Sequence, residues 1–308
     1  MISGMVKAVS IVLVVAGLGA TLHLAGAQAA SAEQLPAPAA LVRATVTKEV
    51  AAANDNSVKH MFREYKKFAQ GSQTRIYVET REAMAGMTIA YNDKPLTAQQ
   101  MQGEEGRLAA LVRNPQQLER KRRQEKEEAD HTICIVKALP DAFLFEYDGS
   151  ENGTASLGRE GVRLTRLKFW PNPAYHPPSR VEEALVGMRG VVLIDSESQR
   201  IARIDGILFK EVNFGWGILG HLDRGGHFLV DQQGLADGSW DISHMSLNFS
   251  GKVLLFKKIA ISSDEVFSDF QRVPADTSFA QGVQMLKAEQ IKLAQNQSET
   301  AQAETRSH

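Results

Sequence analysis

Residues 190–208 read GVVLIDSESQRIARIDGIL. Two runs rich in branched aliphatics flank a polar connection, DSES, of hairpin size. Such runs suit a pleated, half-buried backbone. A connection this short joins antiparallel strands only, because parallel strands need a crossover of about a dozen residues or more. The same pattern extends in both directions. FLFEYDG (143–149), VRLTRLKFW (162–170), RIARIDGILFKEVNF (200–214), GGHFLVDQQ (225–233), SWDISHMSLNF (239–249) and KVLLFKKIAI (252–261) are all strand-like. Asp237-Gly238 and Ser250-Gly251 are turn pairs of the kind that close hairpins. The expected class is therefore mainly β with helices (α+β): a large curved antiparallel sheet forming an open or incomplete barrel covered by helices. Gly206 is placed to allow a bulge or bend in the longest strand.

One segment inside this run tests the reading. Gly215, Gly217 and Gly220 match G-x-G-x-x-G. A dinucleotide fingerprint works by aiming a helix N-terminus at the pyrophosphate after a strand and a turn. Here a second glycine pair and another strand follow instead, so the glycines punctuate a long β-connection and no cofactor is expected. Phe214, Trp216, Ile218 and Leu219 are apolar, which predicts a loop packed inward or lining a cavity mouth. With Phe228 on the next strand, Phe214, Trp216 and Leu219 are candidate ligand contacts.

The other long connection, residues 169–190, carries four prolines. Proline removes ladder donors and confines the segment to an edge or rim. Trp170 and Tyr175 are candidate rim contacts there, and wedging the prolines is the competing duty. Ser179 and Glu182 form an S-x-x-E start to a short helix.

Toward the N-terminus, Lys7 precedes an apolar run and A-x-A sites end near Ala32, the pattern of a secretory signal peptide over 1–32. The stretch from Lys7 to Glu33 lacks charge and is long enough to span a bilayer, so an uncleaved anchor is the alternative. Pro- and Ala-rich residues 33–53 read as a linker and N-terminal segment. A single β domain is expected over 54–275, entered through a short helix in which Val58, Met61, Phe62, Tyr65 and Phe68 recur at helical spacing. TRIYVETRE and GMTIAYND read as paired strands. Thr97 and Gln100 cap a helical insertion over 98–130, whose residues 119–130 hold five acids and five bases that balance as a solvated helix face. The remainder, 276–308, reads as a helix with Phe279, Val283 and Leu286 on one side, then a disordered tail.

Composition narrows the function. The 308 residues carry a formal net charge of −1, so a general polyanion binder is excluded and no nucleic acid is expected. The only cysteine, Cys134, rules out an intramolecular disulfide and a cysteine zinc cluster. It sits among Ile133, Ile135 and Val136 as a buried small hydrophobe. No G-x-S-x-G, P-loop or H-E-x-x-H occurs, so the chain is not read as an enzyme. The best candidate for a metal or acid–base site is His221, Asp223 and His227 in the glycine loop, which would serve a metal-assisted hydrolase. Asp195 and Asp205 on the hairpin could approach each other, against the ordinary duty of such residues in capping turns.

The order of elements over 58–262, with the aliphatic–Ile–Asp turn at Leu193–Asp195 and the returning strand at Arg200–Asp205, resembles the outer-membrane lipoprotein-sorting superfamily. That group comprises the periplasmic lipoprotein carrier, its outer-membrane receptor and periplasmic sigma-factor regulators. FGWGILG (214–220) and NFSGKVLLFK (248–257) are also similar to a set of uncharacterised bacterial exported proteins. The resemblance implies an incomplete barrel whose apolar side, covered by helices, holds acyl chains. The expected function is then an exported, periplasmic binding module for an acyl chain, lipid or lipoprotein in envelope biogenesis or sensing. An envelope protein is its possible partner, and membrane contact is transient or through the uncleaved leader. A structural envelope protein whose barrel is filled by its own side chains is the alternative. The long charged insertion and the C-terminal extension depart from the simple carrier.

Overall fold

The computed structural model describes residues 36–214, 220–253 and 257–306. Thirteen antiparallel strands run in the order β4, β3, β2, β1, β13, β12, β11, β8, β7, β6, β5, with β10 paired to β12 and β9 to β10. The order ends at β4 and β5, so the sheet is not closed into a barrel. The mainly-β class with one large antiparallel sheet and accompanying helices is what the chain forms.

Its residues group into two compact units, 1–55 with 127–264 and 56–126 with 265–308. The sequence suggests one domain over 54–275. A long helix and the last strand each contribute residues to both groups.

In the first unit, helix α1 (Pro38–Asn54) precedes the sheet. Proline at the first helical position loses no bond, since that N–H has no helical partner. The segment read as a linker is thus a helix that buries Leu41, Val42, Thr45 and Val46. Strands β5 (Phe143–Asn152), β6 (Arg163–Pro171), β7 (Met188–Asp195), β8 (Arg200–Leu208), β11 (His227–Gly234) and β12 (Trp240–Val253) form the unit's sheet. The small strands β9 (Val212–Phe214) and β10 (Gly220–Leu222) form a hairpin against β12. Leu41, Val42, Val46 and Val136 pack on Leu167, Val192, Ile194 and Ile201.

The second unit holds β1 (Lys59–Phe68), β2 (Gly71–Val78), β3 (Ala85–Tyr91), β4 (Lys94–Pro95) and the C-terminal half of β13 (Lys257–Val273). Residues 58–68 are expected to be helical, and Lys59–Phe68 is a strand. Lys59, His60, Met61 and Phe62 are all buried, so both faces of the strand are covered and the two-residue alternation disappears. Met61 joins Ile76 in the core, whereas Phe62 stacks on Tyr77 on the other face. Burial, then the negative charge of Glu64, raise the Tyr77 phenol well above its ordinary range, so it donates to Glu64 Oε2 at 2.9 Å. Helix α2 (Ala98–Arg113) starts with the expected capping box at Thr97 and Gln100. Helix α3 (Pro115–Ala142) continues beyond 130, and its apolar end belongs to the first unit. After a four-residue helix α4 (Arg180–Glu183), the last helix, α5 (Phe279–Arg306), puts Phe279, Val283 and Leu286 into the second unit's core. Among the described residues no helix is long and apolar enough to cross a membrane. The leader at 1–32 lies outside them.

Candidate functional site

The register of the first unit places Phe145, Phe169, Gly190, Gly206, Phe228 and Leu247 in one row across six strands. Residues in register share a face of an antiparallel sheet. The next row on that face is Tyr147, Leu167, Val192, Ile204, Val230 and Met245. The two central glycines are required by the close approach of the strands. A Cβ on Gly190 would stand 1.9 Å from the Asp205 carbonyl oxygen, and one on Gly206 would stand 2.4 Å from the Phe228 ring. Gly206 therefore makes room for an aromatic neighbour, and the ladder is regular across it rather than bulged as the sequence suggested. The row lacks two side chains at its middle, between Phe169 and Phe228.

Phe145, Phe169, Phe228 and Leu247 of this row line a partly open cavity of about 140 Å³. Its floor comes from β5 to β8, β11 and β12. Its cover comes from Val42, Thr45 and Glu49 of α1, Ile135, Val136 and Leu139 of α3, and Val181 with Leu185 at the short helix α4 and its continuation. Leu222 of β10 closes part of the wall. Only Thr45, Glu49 and Gln232 among the lining residues are polar. Glu49 is committed elsewhere: it accepts from Arg200 Nε at 2.9 Å and Nη2 at 3.1 Å, and from the Ile201 amide at 2.7 Å. This nearly buried pair fixes α1 to β8, and the Arg200 guanidinium lies 5.5 Å from the Trp240 ring centroid. Apart from the Thr45 hydroxyl and the Gln232 side chain, what remains facing the cavity is hydrocarbon. Such a lining suits the burial of apolar groups.

The residues proposed from sequence separate. Phe228 lines the cavity. Trp170 points to the opposite face of β6, where it is 38% exposed and sits across from Leu144. Tyr175 follows β6 and donates its hydroxyl to Glu182 Oε1 at 3.1 Å. Burial first, then Glu182, raise its phenol above the ordinary range. Phe214 pairs through its backbone with Gly220. Its side chain, together with Trp216, Leu219 and the glycine positions 215 and 217, lies outside the described residues.

The titratable residues also sort differently from the sequence pattern. His227 Nε2 is 2.8 Å from Asp205 Oδ1, whereas His221 Nε2 is 3.3 Å from Asp223 Oδ1. The group that completes a trio with His221 and Asp223 is Glu211, not His227. Asp195 and Asp205 do not pair. Asp195 caps its own turn, accepting from the amides of Glu197 and Ser198, and is gripped by Arg159 at 2.5 and 2.8 Å. Burial works to raise its carboxyl, but the Arg159 and Ser198 hydrogen bonds outweigh it and hold it below the usual range. Burial and then Glu182 raise the Cys134 thiol, which fits an inert residue.

Sequence reasoning missed most of the cavity. Part of its cover is in α1, read as a linker, although Leu41, Val42, Thr45, Val46 and Glu49 carry the helical period. The floor was visible as alternating strands, but the glycine row depends on register across four strands.

No protein-family model matches the chain, and no curated protein does. Among solved structures, the chain is similar to a DUF1329 family protein from Desulfovibrio piger, at 8% identity and a TM-score of 0.26, over 77% of this chain and 93% of that one. A likeness this distant carries nothing about activity.

Proposed function

We propose that the protein is an exported binding module that takes an apolar group, an acyl segment or the hydrophobic part of a lipid or lipoprotein, into the cavity of its first unit. The observation behind this is the largely apolar space between strands β5 to β8, β11 and β12 and the helices α1, α3 and α4. Export rests on the leader pattern at 1–32. A role in the cell envelope, with an envelope protein as possible partner, is part of the same proposal and rests on that leader pattern together with the large antiparallel sheet.

The size of the space sets what it takes. An apolar cavity of roughly 150 Å³ stays dry and accepts one benzene, so 140 Å³ corresponds to about six carbon atoms. At about 0.8 kcal/mol per buried methylene this yields about 5 kcal/mol before the costs of association. With those costs set against it, free short chains should bind no more tightly than roughly 1 mM. Tighter binding needs contacts outside the cavity, so the natural ligand is a larger molecule that inserts one apolar end.

Native mass spectrometry of the protein isolated gently from the exported fraction, followed by organic extraction, tests this reading. A stoichiometric lipid or lipopeptide supports it. A clean unliganded mass, unchanged after incubation with lipid, points instead to a self-filled structural protein.

A further inference from the structure

On the other face of the hairpin that carries Leu222, alternation along β10 puts His221 and Asp223 side by side, and Val212 pairs with Leu222 so that Glu211 stands across from Asp223. Each of Glu211, His221 and Asp223 brings one ligand atom to within 4.8 Å of the others, the one such trio among the described residues. We propose that these three side chains bind one divalent transition-metal ion, zinc by ligand type, which clips β9 to β10.

Three observations support it. The 3.3 Å between His221 Nε2 and Asp223 Oδ1 matches two ligands of one tetrahedral ion at about 2 Å each. Both carboxylates are oriented from outside the trio: Ser250 Oγ donates to Asp223 Oδ2 at 2.6 Å, and Asn213 Nδ2 donates to Glu211 Oε1 at 3.1 Å. Such outer hydrogen bonds steady the first ligands of metal sites. The third observation is the mixed imidazole and carboxylate donor set, which suits zinc better than a hard cation that prefers oxygen alone. Lys252 stands in register with His221 on β12; it is exposed, and its long stem lets the ammonium turn to solvent.

The ion would act on the hairpin. The residues of the opposite face, Val212 and Leu222, are 3% and 2% exposed. Val212 packs so closely on Gly187 that a Cβ there would be 2.2 Å away. Clipping β9 to β10 would therefore hold a buried wedge in place. The proposal stands independently of what the cavity binds.

The test uses the full chain, stripped of metal with a chelator and titrated with Zn²⁺ by calorimetry and equilibrium dialysis. One equivalent should bind. E211Q, H221N and D223N should each weaken binding at least ten-fold, whereas H227N, whose imidazole faces Asp205, should leave it unchanged. On the unsubstituted chain, one equivalent of Zn²⁺ should shift the imidazole resonances of His221 and leave those of His227 in place. Absence of stoichiometric binding overturns the site, as does an equal loss in H221N and H227N, or equal movement of both imidazoles.

Discussion

Val192 is the residue whose enlargement separates a ligand cavity from a packing gap. It is 5% exposed, lines the cavity, and lies one row from Gly190 and Gly206 on the same face. Val192→Phe adds about four carbons at the floor, of the roughly six the space accepts. The new ring gains burial at about 0.8 kcal/mol per carbon group, roughly 3 kcal/mol. Overpacking costs about 1–3 kcal/mol, so stability should change by no more than about 2 kcal/mol. Binding should change much more. With primary alcohols from propanol to decanol, measured by calorimetry, the wild-type affinity should rise about fourfold per methylene. The rise should level off near six carbons, where the cavity is full. In Val192→Phe the levelling should come at about two carbons, with hexanol bound about 100-fold more weakly, equivalent to about 3 kcal/mol. A wild-type series without chain-length dependence would refute the reasoning, and so would an unchanged series in a variant that circular dichroism shows to be folded.

Other perturbations check the supports of the site. Glu49→Gln removes the carboxylate charge that the nearly buried Arg200 grips and should cost about 3 kcal/mol in urea denaturation, with amide exchange rising first in α1. Asp195→Asn should cost about 2 kcal/mol at neutral pH, a discounted figure because Arg159 is more than a third exposed. The Asp195 carboxyl is depressed in the folded chain, so its contribution is fully present above its ordinary value of 3.8 and is lost as pH falls through the lower folded value. Melting curves from pH 7 to pH 2 should show the gap between wild type and Asp195→Asn closing only at that acidic end. Trp170→Ser, on the exposed opposite face, should change stability by no more than about 0.5 kcal/mol and leave the alcohol series unaltered.

The sheet was legible because residues 143–261 alternate with short polar turns, and turn length alone dictates antiparallel pairing. The first strand was not, because Met61 and Phe62 are buried on opposite faces and mimic helical spacing. The Pro- and Ala-rich start of α1 concealed an apolar face completed by Val46 and Val50. For α3, the charge balance of 119–130 marked its solvated part only, and Ile135, Val136 and Leu139 continue the same helix over the cavity. Phe228 could be selected from sequence as an aromatic beside the glycine loop. Its partners Phe145 and Phe169 could not, since their convergence requires the register of β5, β6, β7, β8 and β11. Likewise Glu211 joins His221 and Asp223 only through the pairing of β9 with β10, a hairpin hidden within a connection that reads as a single loop.

The most direct test of the central claim is a methyl-resolved NMR titration of the full chain with hexanol. Saturable shifts should appear at Val42, Leu185, Val192, Leu208 and Val230, which line the cavity, while Leu144 and Ile207, exposed and absent from its lining, stay in place. Shifts scattered over the exposed methyls, or none at the lining residues at millimolar hexanol, would contradict an apolar binding site in the first unit.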